Sequence, residues 1–308
     1  MQMPPRRSRM RRTRTGKRLE LSERDIEIFK LLERYRFLRS TYIHAFVGGA
    51  SEKRFTERLG DLYHEGYIGR PDQQWELARA CHLPTVHESD AGATKALREA
   101  GIATGDVRTF PAPTAHRQFL HSLMICEVLA SLDLDVRTDP QLRFIAWPQI
   151  LARAPEQTRA SGTPFRIPVP SGGYLVPDGL FGIEYRPGEK KAYRFFALEA
   201  DRGTMPLSRS NGSQTSYLGK LAAYREILAH QIHKTHWGIP NLLVLTVTVG
   251  TGRVQEILDR LQDRSIESAS FLFKALSVPD LLTAPIPQLL FEPWQRAGSP
   301  PLRIGESH

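Results

Sequence analysis

Tyr174-Leu175-Val176-Pro177-Asp178-Gly179 and Phe195-Phe196-Ala197-Leu198-Glu199-Ala200-Asp201 are the segments on which the fold reading turns. They belong to two apolar, aromatic-rich runs, residues 174–185 and 193–198, split by Arg186-Pro187-Gly188-Glu189. Such a pattern predicts two adjacent strands joined by a turn. Asp178 lies within the first run, and Glu199 and Asp201 close the second. Adjacent strands can bring Asp178 and Glu199 to one sheet edge. A polar Gly/Ser loop over residues 202–213 leads to a predicted helix over 214–230, which carries Lys220. Packed over that edge, the helix can aim Lys220 at the same point. Paired carboxylates on strands hold a hard divalent cation through oxygen. A lysine beside them orients water or stabilises charge developing on a phosphoryl group.

The flanking sequence supplies an α/β domain around this pair. A helix is predicted over residues 114–132, with Phe119, Leu120, Leu123, Val128 and Leu129 as its apolar stripe. Strands are predicted near 134–137 and 142–147, and a Pro/Ser/Gly/Thr-rich surface loop over 152–172. Residues 242–249 are a continuous apolar strand, buried on both faces, and 253–261 a helix. From residue 277 the chain carries Pro279, Pro285, Pro287, Pro293, Pro300 and Pro301, which predicts an irregular tail over 277–308.

The N-terminal part reads differently. Ser22 is placed to cap a helix, with Asp25 three residues on, and Ile26, Phe29, Leu32 and Leu38 follow at helical spacing. A short second helix covers about 40–46 and is broken by Gly48 and Gly49. Ser51 opens a third, with Phe55, Leu59, Leu62 and Tyr63 inward. A strand at 67–70, a polar turn, a return strand within 75–87 and a helix from about 91 complete residues 19–101. Three helices and a hairpin are the layout of a winged helix-turn-helix, whose third helix reads a DNA groove. Lys53, Arg54 and Arg58 on that helix are the candidate contacts. Glu52, Glu57 and Asp61 share the helix, so a merely solvated face is the alternative.

The charge is concentrated at the start of the chain. Arg6, Arg7, Arg9, Arg11, Arg12, Arg14, Lys17 and Arg18 account for most of a formal net charge of +9, and residues 1–18 contain no acid. This predicts a disordered basic arm that binds phosphates, on a nearly neutral body. Cys81 and Cys126 suit neither a disulfide framework nor a cysteine zinc site. No apolar run is long enough to span a bilayer, and no apolar core follows the basic start. The expectation is a cytoplasmic protein with no membrane partner.

Val176-Pro177-Asp178-Gly179, the stretch from Phe196 to Thr204 and Lys220-Leu221-Ala222-Ala223-Tyr224 together resemble the replication-relaxation family of plasmids and other mobile elements, similar to MobC-type mobilisation proteins. The resemblance covers about residues 20–265. It implies a winged helix followed by a restriction-endonuclease-like α/β domain of the PD-(D/E)xK class, over 114–276, with a central mixed sheet. It implies that Asp178 and Glu199 hold Mg²⁺ or Mn²⁺, that DNA is the partner, and that other replication or mobilisation proteins join it. The family pattern of that nuclease class has a lysine two residues after the second acid, where this chain has Asp201. Lys220 substitutes from the helix, or Asp201 adds a ligand. His121 or Glu127 takes the supporting role of a first-helix acid.

Two activities remain open at this level: a metal-dependent DNA nickase, and an inert winged-helix regulator, relaxosome accessory or adaptor. Other sites are set aside. His230, His233 and His236 recur every three residues, which spreads them around a helix and suits no three-histidine site. Gly250-Thr251-Gly252 lacks the Gly-Lys-Ser/Thr ending of a phosphate loop.

Overall fold

The computed structural model describes residues 8–49, 51–76, 82–104, 116–186, 188, 190–203, 217–261, 269–276 and 283–306. Contacts divide the chain into two units, Met1–Leu134 with Leu282–Ile286, and Asp135–Leu281 with Pro287–His308.

In the first unit, α1 (Glu23–Tyr35) starts where the sequence places its cap. The Ser22 side chain accepts from the Asp25 N–H, and Asp25 returns the bond to Ser22. The pair satisfies two backbone donors that the first turn would otherwise leave open. Leu38 and Arg39 form β1, α2 is Ser40–Val47 and α3 is Glu52–His64, capped by Ser51. Then come β2 (Ile68–Gly69), β3 (Val86–Ser89) and α4 (Ala91–Glu99). The strands form a three-stranded antiparallel sheet in the order β1-β3-β2. Phe29, Leu32, Tyr42, Ile43, Leu59 and Leu62 fill the core between helices and sheet.

The next helix, α5 (His116–Val136), is longer than its apolar stripe suggested. The predicted strand at 134–137 is its last turn. The alternation Asp133-Leu134-Asp135-Val136 imitates a strand, but the acids have tertiary partners. Asp133 accepts from Tyr35 Oη at 2.5 Å and from Arg34 at 3.0 Å. Asp135 accepts the backbone N–H groups of Gln288 and Leu290. Most of α5 groups with the first unit. Phe119 packs edge-on against Phe37, and Glu127 pairs with Arg39 at 2.8 Å.

Described residues 8–18 do not form a free arm. Arg9 donates to Leu83 O and Thr85 Oγ1, and Arg12 to Ile68 O and Asp90. The Thr13 N–H donates to His64 Nδ1. Backbone carbonyls at the ends of the small sheet offer acceptors that no composition count can reveal.

The second unit is built on a seven-stranded mixed sheet in the order β12-β11-β10-β9-β8-β7-β4. Its strands are β4 (Leu142–Ala146), β7 (Gly179–Tyr185), β8 (Ala192–Asp201), β9 (Leu243–Val249), β10 (Phe271–Leu276), β11 (Trp294–Arg296) and β12 (Ser299–Leu302). β8, β9 and β10 run parallel; the remaining pairings are antiparallel. The sequence predicts an irregular tail, yet β11 and β12 extend the sheet. Trp294 is fully buried there, and Tyr185 donates its hydroxyl to Ile304 O. Pro300 and Pro301 sit on the edge strand β12, where a missing N–H costs no ladder bond.

A short helix, α6 (Trp147–Leu151), precedes the stretch 152–172 read as loop; within that stretch lie the one-turn helix α7 (Glu156–Arg159) and the strand β5 (Ile167–Pro168), which pairs with β6 (Tyr174–Leu175) to form a two-stranded ribbon. The first predicted strand is split, because Val176-Pro177-Asp178 turns the chain from β6 into β7. Helices α8 (Tyr217–Ala229), α9 (Ile232–Trp237) and α10 (Thr251–Leu261) cover one sheet face. Tyr217, Leu221, Tyr224, Ile227, Val254 and Ile257 pack there on Leu180, Ala197 and Val244. Among the described residues, no helix is long and apolar enough to cross a membrane.

Candidate active site

The polar end of that covered face is set by strand register. Gly179 pairs with Leu198, so the residue before β7, Asp178, falls opposite Glu199. Ala197, Glu199 and Asp201 alternate onto one face. The parallel register of β9 sets Thr246 beside Glu199 and Thr248 beside Asp201. The helix α8 brings Tyr217, Lys220 and Tyr224 over these positions at spacings of three and four, which share one helix face.

The side chains converge as the spacing suggested. Lys220 Nζ contacts Glu199 Oε2 directly and lies 3.4 Å from Asp178 Oδ1. The Ala200 N–H donates to Asp178 Oδ2 at 2.9 Å, and Tyr224 Oη to Glu199 Oε1 at 2.5 Å. Glu199 is 3% exposed at its side chain, against 18% for Asp178 and 19% for Lys220, so solvent reaches the cluster from the Asp178 side.

Burial first, and then the charge of Asp178, push Glu199 up to about 8. Burial pulls the Lys220 ammonium down, but the charges of Glu199 and Asp178 outweigh it and hold it above the ordinary lysine value. With the Asp178 charge close by, the buried Glu199 carboxyl favours its protonated form. Tyr224 is raised far above an ordinary phenol, by burial and then by Glu199, and so stays a donor.

Asp201 is separate. It accepts from Arg253 Nε at 2.8 Å, and the Gly203 N–H donates to it at 2.9 Å. Its carboxylate is therefore held by α10 and its own turn. His121 and Glu127 lie on α5. Glu127 pairs with Arg39, both side chains being 2% exposed or less. Burial raises Glu127 to about 8 although Arg39 pulls it down. Of the histidine run, His233 is buried and its imidazole pushed down by burial, and His236 is held near Thr158 and Pro164.

The candidate DNA contacts divide in the same way. Lys53 and Arg54 are exposed on α3, and Arg11 and Arg14 are exposed ahead of α1. Arg58 is committed instead to Asp25, with bonds of 3.0 and 2.6 Å, and to Glu20 O. It fixes α3 to the cap of α1. Arg9 and Arg12 bind the sheet ends as described above. Arg6 and Arg7 lie outside the described residues.

Reading the residues missed Tyr224 and Arg253. Tyr224 had a signal, four residues after Lys220 on the same helix. Arg253 had none, since only the parallel β8–β9 pairing brings α10 to Asp201.

Asp178 Oδ1 and Glu199 Oε2 face one point, already held by the Lys220 ammonium, and both are hard oxygen ligands. Magnesium is commonly held by one or two carboxylates and keeps several waters, so these residues fit a two-carboxylate site. Among the described residues no group of three or more metal-capable side chains occurs.

No curated protein and no solved structure matches the chain. Residues 29–243, well over half its length, match the family model described as replication-relaxation. The chain therefore belongs to the replication-relaxation family, which ties it to a replication- or mobilisation-associated role.

Proposed function

We propose that the chain is a DNA-binding protein of a plasmid or other mobile element that nicks DNA with a divalent metal during relaxation, mobilisation or replication. The observation that carries this reading is the convergence of Asp178, Glu199 and Lys220, from three elements, on one partly accessible point. Asp178 and Glu199 are the ligands of Mg²⁺ or Mn²⁺, which when bound supplies Lewis acidity to a phosphoryl oxygen and acidity to water. Lys220 carries a firmly held positive charge against the phosphodiester. Tyr224 orients Glu199, and the Ala200 N–H orients Asp178. The order helix, strand, helix, helix, strand, strand around an antiparallel sheet supports reading the first unit as a winged helix, with Lys53 and Arg54 toward DNA. The second unit is read as the nuclease-like domain.

One observation favours the inert alternative. All four oxygens of Asp178 and Glu199 already have partners within the chain. A cluster so satisfied serves equally as an internal brace of a DNA-binding accessory. Relaxation of supercoiled plasmid in Mg²⁺ or Mn²⁺ separates the two. Nicking that Asp178→Ala and Glu199→Ala abolish, with DNA binding retained, is the expected outcome. Nicking retained in both variants overturns the roles given to Asp178 and Glu199, and nicking absent from the wild-type chain leaves the accessory reading.

A further inference from the structure

Between the core and Asp178 the chain presents an outward face that the mechanism does not use. In the β5–β6 ribbon Pro168 pairs with Tyr174 and Ile167 with Leu175, which sets Arg166 opposite Val176. Ile167 and Leu175 point into the core. The alternate residues Arg166, Pro168, Tyr174 and Val176 are all exposed. Tyr174 is 64% exposed and Val176 38%, two of the few large apolar side chains left to solvent among the described residues. The Arg166 guanidinium lies over the Tyr174 ring, 4.8 Å from its centroid.

The ribbon is held in place. Its turn is closed by Gly172 N–H to Val169 O and Val169 N–H to Gly173 O, with both glycines at positive φ. The Ser171 N–H and hydroxyl both donate to Glu226, at 2.8 and 2.9 Å. Glu226 lies on α8, the helix that carries Lys220. From Tyr174 the chain turns through Val176 and reaches Asp178 four residues on, at most about 14 Å away. The aromatic face and the carboxylate pair are thus fixed in one frame.

We infer that the Arg166–Tyr174 pair is a stacking platform for an unpaired base of single-stranded DNA leading to the Asp178–Glu199 site. An exposed aromatic ring topped by a guanidinium offers a flat apolar surface to a base and a positive charge to the adjoining phosphate. That combination is how sequence-tolerant single-strand binders hold their ligand. A base inside a duplex is stacked on its neighbours and cannot use the ring. The patch has four side chains on and beside a ribbon of two two-residue strands, far short of the ~20–30 residues a stable protein interface engages per side. The inference rests on the proposed action on DNA and names the form of substrate at the site: melted or single-stranded.

The test compares the full-length wild-type chain with Tyr174→Ala, Tyr174→Phe and Arg166→Ala. Each is titrated with a fluorescein-labelled oligothymidylate strand and with a duplex of the same length. A salt concentration of about 0.2 M keeps non-specific electrostatic binding weak. Because the ring is exposed, its truncation leaves the core untouched, which unchanged thermal unfolding verifies. Tyr174→Ala is expected to weaken single-strand binding about five- to hundredfold, with duplex binding changed less than about twofold. Tyr174→Phe is expected to bind as wild type, and Arg166→Ala to lie between. Unchanged single-strand affinity in Tyr174→Ala overturns the inference, and so does an equal loss for strand and duplex. These outcomes are independent of the nicking assay. Nicking with no stacking effect removes the platform alone, and a stacking effect without nicking removes the metal chemistry alone.

Discussion

Replacing Glu199 by glutamine tests the electrostatics of the candidate site without relying on catalysis. The amide keeps the shape of the side chain and removes its titration. Glu199 is raised from an ordinary 4.5 to about 8 by burial and by Asp178. A carboxyl raised on folding contributes stability that is present below its unfolded pKa and lost as pH rises through the folded one. The window is therefore about pH 4.5 to 8. Between pH 6 and pH 9, at up to ~1.4 kcal/mol per pH unit below the folded value, the wild type should lose roughly 2–3 kcal/mol that Glu199→Gln does not lose. Glu127 has the same raised value in the other unit, but it is common to both proteins and cancels in the difference. The assay is urea unfolding of both proteins in metal-free buffer at pH 6 and pH 9. Added Mg²⁺ at pH 9 should then stabilise the wild type and not the variant, since only the charged carboxylate competes for the cation. Equal pH dependence in the two proteins would refute the burial argument for Glu199. An equal response to Mg²⁺ would refute its assignment as a ligand.

Further predictions concern the first unit. Arg39→Met leaves Glu127 without its cation, and loss of one partner of a buried pair costs about 3–5 kcal/mol. Adding Glu127→Leu should restore much of it, and a double variant as unstable as the single one, by urea unfolding, contradicts that account. Lys53→Ala and Arg54→Ala should each weaken binding to any duplex and lower the slope of log affinity against log salt by about 0.9. Arg58→Ala should instead lower stability, because it breaks the ties to Asp25 and Glu20. A full salt-slope loss with unchanged stability in that variant would return Arg58 to the DNA face.

Much of the first unit is legible in its sequence because its signals are local. Ser22 with Asp25, Ser51 before Phe55, and the break at Gly48 and Gly49 each act within a turn or two of chain. The places where reading fails are those where a distant partner decides. Leu134 and Val136 alternate like a strand, and only the bonds of Asp133 to Tyr35 and of Asp135 to residues 288 and 290 show the helix continuing. The prolines after residue 277 argue against a sheet, yet an edge position tolerates them and the burial of Trp294 favours one.

The sequence by itself determined which residues can form the site. Asp178, Glu199 and Lys220 are legible because the strand period, the turn between the strands and the helix after them bring these residue types to one edge. The three-dimensional arrangement decided their state. Parallel pairing of β8 with β9 brings Arg253 to Asp201, which leaves two carboxylates and not three around Lys220. Pairing in the first unit commits Glu127 to Arg39 and Arg58 to Asp25. Charge in a sequence is a sum over residue types. Its availability depends on which opposite charge the fold places within a few ångströms, and at what burial, and that is a property of packing alone.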